Sequence, residues 1–126
     1  MTQEEKELLL KDLCARLPYG VICNRLGHNK KLLSISPYKV YCLEFDKGEY
    51  MPSEYKVEDI KPYLRPMSSM TEEEEKEYDT TFVYYGDCPC YTIETFDFLN
   101  KKHFDYRGLI SKGLALEAPE GMYKKD

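Results

Sequence analysis

Residues 38–51 read YKVYCLEFDKGEYM, and this stretch decides the fold class. Tyr38–Phe45 is rich in Tyr, Val and Phe, which fit a pleated, half-buried surface. Asp46, Lys47 and Gly48 have turn chemistry, so the chain is expected to return directly as a hairpin through Glu49–Met51. Upstream, Val21–Leu26 and Leu32–Ile35 are two shorter runs, separated by Gly27, His28 and Asn29 and closed by Ser36 and Pro37. Connections this short join antiparallel neighbours, because parallel pairing needs a long crossover. The expectation is an antiparallel meander. Large side chains on both faces of 38–45 place that strand at the centre of the sheet or beneath a helix.

Helices flank the meander. Thr2 and Glu5 have capping-box spacing, and Leu9, Leu10, Leu13, Cys14 and Leu17 recur as one apolar stripe, with Lys6, Glu7, Lys11 and Asp12 expected in water. Pro18 stops this helix. Downstream, Val57–Lys61 reads as one helical turn ended by Pro62, followed by an extended connection through Arg65. Thr71 with Glu74 is a second capping box, opening a helix to about residue 78 or 79. Thr80–Tyr85 is compatible with a strand, and Gly86–Cys90 with a loop. Thr92 opens a helix to about Phe104 with Ile93, Phe96, Leu99 and His103 on one side. Asp105 is expected to cap a last short helix over 106–112, ended by Gly113, and Leu114–Ala118 to add an edge strand.

The 126 residues suit one domain, with 42% apolar and 33% charged side chains. No apolar run approaches the ~20 residues of a membrane span. Met1–Glu7 is acidic where a secretory leader is basic, so a cytoplasmic location is expected, with no membrane partner. The net charge of −5 disfavours wholesale nucleic-acid binding, but the carboxylates between residues 72 and 79, offset by Lys76, account for all of it. A local basic face built from Arg25, Lys30, Lys31 and Lys39 therefore stays open.

Five cysteines, Cys14, Cys23, Cys42, Cys88 and Cys90, cannot all pair within one chain. Cys14, Cys23 and Cys42 are expected to pack as small hydrophobes. Cys88 and Cys90 are weak candidates for a soft metal, because a structural zinc site needs four ligands and no second pair exists. His103 with either thiol would need an orienting third group for nucleophilic chemistry, and none is evident. The sequence contains no phosphate-cradling glycine loop, nucleophile elbow or zinc-protease helix, so no catalytic residue and no cofactor is assigned.

Twelve Tyr, five Phe and no Trp make the aromatic content the least ordinary feature. Tyr38, Tyr41, Tyr50, Tyr55 and Tyr63 fall in the β region, interleaved with Lys39, Lys47, Lys56 and Lys61. Tyrosine suits protein interfaces because it supplies much area with few torsions to freeze. Interleaved with lysine it also suits stacking on single-stranded bases.

Four segments carry a resemblance: LPYG at 17–20, EDIKPYLRPMSSMTEEE at 58–74, FDYRGLI at 104–110 and GLALEAPEGMY at 113–123. Together they resemble a group of small uncharacterised proteins encoded in gut Bacteroidetes genomes, commonly in prophage-like or other mobile regions. The resemblance implies a small intracellular protein of phage type, accessory to replication, packaging or host takeover. It implies no activity and no site residue.

The combined reading is a single α+β domain over residues 1–126. An N-terminal helix packs on a small antiparallel meander, open or curled into an SH3-like barrel, and C-terminal helices follow. The leading functional expectation is a non-enzymatic protein that binds another protein through a Tyr-rich patch on the sheet or its hairpins, with Tyr38, Tyr41, Tyr50, Lys30, Lys31 and Lys39 as interaction candidates. The alternatives are nucleic-acid binding by the same Tyr- and Lys-rich region, or Cys-dependent or metal chemistry.

Overall fold

Thr2 opens helix α1 (Gln3–Arg16) with a complete capping box. Its hydroxyl accepts from the Glu5 N–H at 3.0 Å, and the Glu5 carboxylate accepts from the Thr2 N–H at 2.8 Å. The computed structural model describes residues 1–35, 40–44 and 53–123, with 40–44, 53 and 54 described through the backbone. The buried face of α1 is Leu9, Asp12, Leu13 and Arg16, an i, i+3, i+4, i+7 set. Two expectations are overturned here. Cys14 is exposed rather than on the apolar stripe, and Asp12 is fully buried rather than in water, because Arg16 one turn on neutralises it inside the protein.

A 3-10 turn, Leu17–Tyr19, and Gly20 in the left-handed region (φ +67°) deliver the chain to the sheet. Strands β1 (Ile22–Arg25), β2 (His28–Ile35), β3 (Val40–Glu44) and β4 (Ser53–Tyr55) form the antiparallel meander that the short connections predict. The β1–β2 turn differs from expectation. It consists of Leu26 and Gly27, both at positive φ, so His28 and Asn29 pair with Arg25 and Asn24 as strand residues. The expected turn Asp46–Gly48 and return strand Glu49–Met51 lie outside the described residues, and β4 pairs with β3.

The segment after the 3-10 turn Val57–Asp59 is not a plain connection. It forms β5 (Lys61–Leu64), antiparallel to β1 on the side away from β2. On its other edge β5 pairs parallel with β8 (Leu116–Glu117), as Tyr63 with Leu116 and Leu64 with Glu117. The sheet order is β4-β3-β2-β1-β5-β8, so the meander is extended by a parallel edge. That parallel pair is possible because everything between residues 65 and 115 acts as its crossover. Among the described residues the sheet is open, with β4 and β8 at its edges and no barrel closure.

The crossover holds the remaining elements. Helix α2 (Glu72–Thr80) starts with the predicted Thr71–Glu74 capping box. A separate two-stranded hairpin follows, β6 (Val83–Tyr85) with β7 (Cys88–Cys90), so Cys88–Cys90 is a strand where a loop was expected. Helix α3 (Ile93–Lys101) buries Thr95, Phe98, Leu99 and Asn100. Ile93 and Phe96, expected to share the buried side with Leu99, are exposed. His103 leaves α3 at φ +61° and turns into the interior. The short helix expected over 106–112 is replaced by turns in which the Asp105 carboxylate accepts from the Leu109 and Ile110 N–H groups at 2.8 and 3.0 Å.

Two cores result. The larger packs Leu9 and Leu13 of α1 against Val21, Cys23, Leu32, Ile60 and Leu64 of the sheet region, closed by Leu109, Leu114 and Ala115. The smaller is Phe98, Leu99 and Phe104, flanked by Met67, Met70, Tyr78 and Tyr106.

Candidate functional site

The segments at 17–20, 58–74, 104–110 and 113–123 converge on a buried seam. Arg16 donates from Nε to Asp12 at 2.9 Å and from Nη2 to the Phe104 carbonyl at 2.6 Å, while Arg107 donates to the other Asp12 oxygen at 2.7 Å. His103 donates from Nε2 to the Tyr19 carbonyl at 3.1 Å and stacks on Tyr123 at 4.0 Å between centroids. The carbonyl can only accept, so Nε2 holds the proton. Burial and the Arg16 charge push the imidazole down to about 4, so it is neutral near pH 7. The Tyr123 hydroxyl accepts from the Ile22 N–H and donates to the Tyr63 carbonyl, both at 2.8 Å, and its burial raises its pKa. Arg65 holds Glu74 through two bonds of 2.7 and 2.8 Å and lies over Phe104, holding the Glu74 carboxyl down at about 2. These contacts tie α1, the sheet and the crossover together. They account for the distinctive residues as scaffold.

The residues singled out in the β region are not assembled into one surface by the described residues. Tyr38, Lys39 and Tyr50 lie outside them, and Tyr41 is placed by backbone alone, opposite Glu54 in β4. Lys30 is buried, hydrogen-bonded from Nζ to the Tyr55 hydroxyl and over the Tyr55 ring, which also carries Arg25 at 4.2 Å. Lys31 is exposed, and its stem lies so close over Gly20 that a Cβ there would stand 2.8 Å from Lys31 Cε.

Exposed apolar surface gathers elsewhere, on the β6–β7 hairpin and the first turns of α3. Val83, Tyr84, Tyr85, Tyr91, Ile93 and Phe96 are all exposed, Tyr85 by 85% and Ile93 by 81%. Three successive exposed residues in β6 mean that neither face of this strand is covered. The hairpin nevertheless has a firm base. Phe82 stacks flat on Tyr91 at 5.6 Å, Tyr78 meets both rings edge-on, and the Tyr78 and Tyr91 hydroxyls bond to each other. Thr92 donates to the Thr81 carbonyl at 2.8 Å, closing the loop from the end of α2 to the start of α3. From Tyr91 the ring contacts run through Phe96 to Tyr106, and from Tyr78 through Phe98 to Phe104, so the patch is continuous with the smaller core.

The same unit holds the charge of the protein. Residues 72–97 carry nine carboxylates against Lys76 alone, net −8, and the rest of the chain has 17 basic and 14 acidic residues, net +3. Glu72, Glu73, Glu75, Glu77, Asp79, Asp87, Glu94 and Asp97 are exposed. The result is an aromatic surface in a strongly negative field.

Cys88 and Cys90 lie two residues apart on β7, hence on one face of it, and Cys88 is a free, exposed thiol. Among the described residues no group of three or more His, Cys, Asp or Glu is placed to hold a metal ion. The sequence signal for this surface was Gly86-Asp87 between Val83-Tyr84-Tyr85 and Cys88-Pro89-Cys90, a two-residue turn with Gly first, the type II′ hairpin pattern. No helix among the described residues is long and apolar enough to cross a membrane. No family model, curated protein or solved structure matches the chain.

Proposed function

We propose that the protein acts by binding another protein, through the exposed aromatic surface of the β6–β7 hairpin and the start of α3, and not by catalysis. The observation that carries this reading is the gathering of Val83, Tyr84, Tyr85, Tyr91, Ile93 and Phe96 on one hairpin and the helix turns after it. Exposed apolar side chains scattered singly need no explanation, whereas a rigidly based aromatic group of this kind is characteristic of recognition surfaces. Nucleic acid fits this surface poorly, because its net charge of −8 repels phosphates. The exposed, unpaired Cys14 and Cys88 favour a reducing compartment, in keeping with a cytoplasmic protein.

The test compares the wild-type chain with the double variant Tyr85→Ser/Ile93→Ser, whose side chains are too exposed to support the fold. Each is immobilised and exposed to extract of the source cells. Any captured protein is identified, purified and titrated against both chains by calorimetry. The reading expects a stoichiometric complex with the wild type and at least a tenfold weaker one with the variant. No complex, or equal affinity for both chains, refutes it.

A further inference from the structure

We propose that the outer edge of β6 is a docking site for an extended, Lys- or Arg-rich segment of the partner, added to the hairpin as a third strand. The inference rests on the protein-binding reading and names the chemistry of its occupant. It starts from Pro89, which stands opposite Tyr84 in the ladder. In an antiparallel pair, residues alternate between those that exchange both hydrogen bonds and those whose N–H and C=O point away from the partner strand. Proline has no N–H to exchange, so Tyr84–Pro89 is an outward-pointing pair, and Val83–Cys90 and Tyr85–Cys88 are the bonded ones. Tyr84 therefore presents an N–H and a C=O to the outside, while Pro89 denies the opposite edge a donor. The ribbon has one edge competent for strand addition and one that is blocked.

Charge selects the occupant. A second copy of this chain would bring another −8 unit to the same edge, and acidic segments or phosphates are repelled likewise. An extended basic segment gains the two main-chain bonds at Tyr84, attraction to the surrounding carboxylates, and stacking of its cations on Tyr84 and Tyr85.

The probe is a fluorescein-labelled octapeptide of alternating Lys and Val, titrated by anisotropy into the full chain at 50 and 300 mM salt. Its controls are the Glu–Val counterpart and a Lys–Val peptide N-methylated at every residue, which leaves neither edge a donor. The inference expects the Lys–Val peptide to bind at least tenfold more tightly than either control and to weaken severalfold at the higher salt. It also expects Tyr84→Pro, which removes the outward N–H together with the ring, to lose at least tenfold and Tyr84→Ser, which removes the ring alone, to lose clearly less, with Tyr85→Pro as a hairpin-breaking reference and near-ultraviolet circular dichroism reporting the aromatic base. Equal binding of the N-methylated peptide, or a Tyr84→Pro chain that binds no more weakly than Tyr84→Ser, overturns strand addition. Equal binding of the Glu–Val peptide, or no binding of any, overturns the basic occupant. None of these results touches the capture experiment on Tyr85→Ser/Ile93→Ser, so the broader reading stands or falls separately.

Discussion

Asp12→Ala is the sharpest perturbation of the scaffold. Asp12 and Arg16 are both fully buried, and Asp12 accepts from Arg16 at 2.9 Å and from Arg107 at 2.7 Å. Removing the carboxylate leaves the Arg16 guanidinium inside the protein with the Phe104 carbonyl as its remaining acceptor. Breaking a buried pair in this way costs about 3–5 kcal/mol, because an uncompensated charge stays desolvated. A chain of 126 residues has roughly 6–19 kcal/mol of total stability, so the loss is a large fraction of it. With a urea slope of ~2 kcal/mol per M, the unfolding midpoint should fall by roughly 2 M. Arg107→Met should cost only ~1 kcal/mol, since Arg107 is partly in water. Asp12→Leu combined with Arg16→Met should lose less than Asp12→Ala alone, because the double change removes both charges and leaves none stranded. Urea denaturation followed by far-ultraviolet circular dichroism at pH 7 measures all three. A loss below ~1 kcal/mol for Asp12→Ala, or a loss in the double variant as large as that of Asp12→Ala, would refute the coupling.

Leu26→Asn should stabilise the protein by about 1 kcal/mol, since Leu26 is 80% exposed at φ +50° in a turn that favours Asn-Gly, and the same urea titration reads it. Acidification should weaken the fold in two windows. His103 is lowered from 6.5 to about 4, so its neutral form supports the fold fully above pH 6.5, and that support is lost as pH falls towards 4, a change on the order of 3 kcal/mol. Glu74, lowered from 4.5 to about 2 mainly by Arg65, supports the fold above pH 4.5 and loses that support as pH falls towards 2. His103→Gln should flatten the upper window and Arg65→Met the lower one in stability measured against pH. Cys14 and Cys88 should react quickly with a thiol reagent in the native protein, and Cys23 only on unfolding; rapid native labelling of Cys23 would contradict its burial.

The antiparallel meander was legible because turn chemistry and short connections leave few alternatives. Both Thr–Glu capping boxes were legible because they are local. Asp12 was not. A buried carboxylate is indistinguishable by spacing from a solvated one until its partners are known, and Arg107 is distant in sequence. Cys14 was misplaced for the same reason, as the buried face of α1 turns towards the ion pair. Strand β8 was foreseen as an edge, but its parallel pairing with β5 depends on a long crossover that no local pattern records. A Tyr-rich patch was expected around Tyr38, Tyr41 and Tyr50, of which Tyr38 and Tyr50 lie outside the described residues and Tyr41 is placed by backbone alone. Among the described residues the exposed aromatic side chains gather on β6–β7, where Val83-Tyr84-Tyr85 lacks alternation because neither face is buried.

Hydrogen exchange, mapped along the full chain alone and with the protein it captures, reads the docking edge residue by residue. Slowed exchange is expected at Phe82–Phe96, greatest at the Tyr84 amide, with β1 and β2 unchanged. Protection over β1 and β2, with the hairpin exchanging as in the free chain, would contradict it.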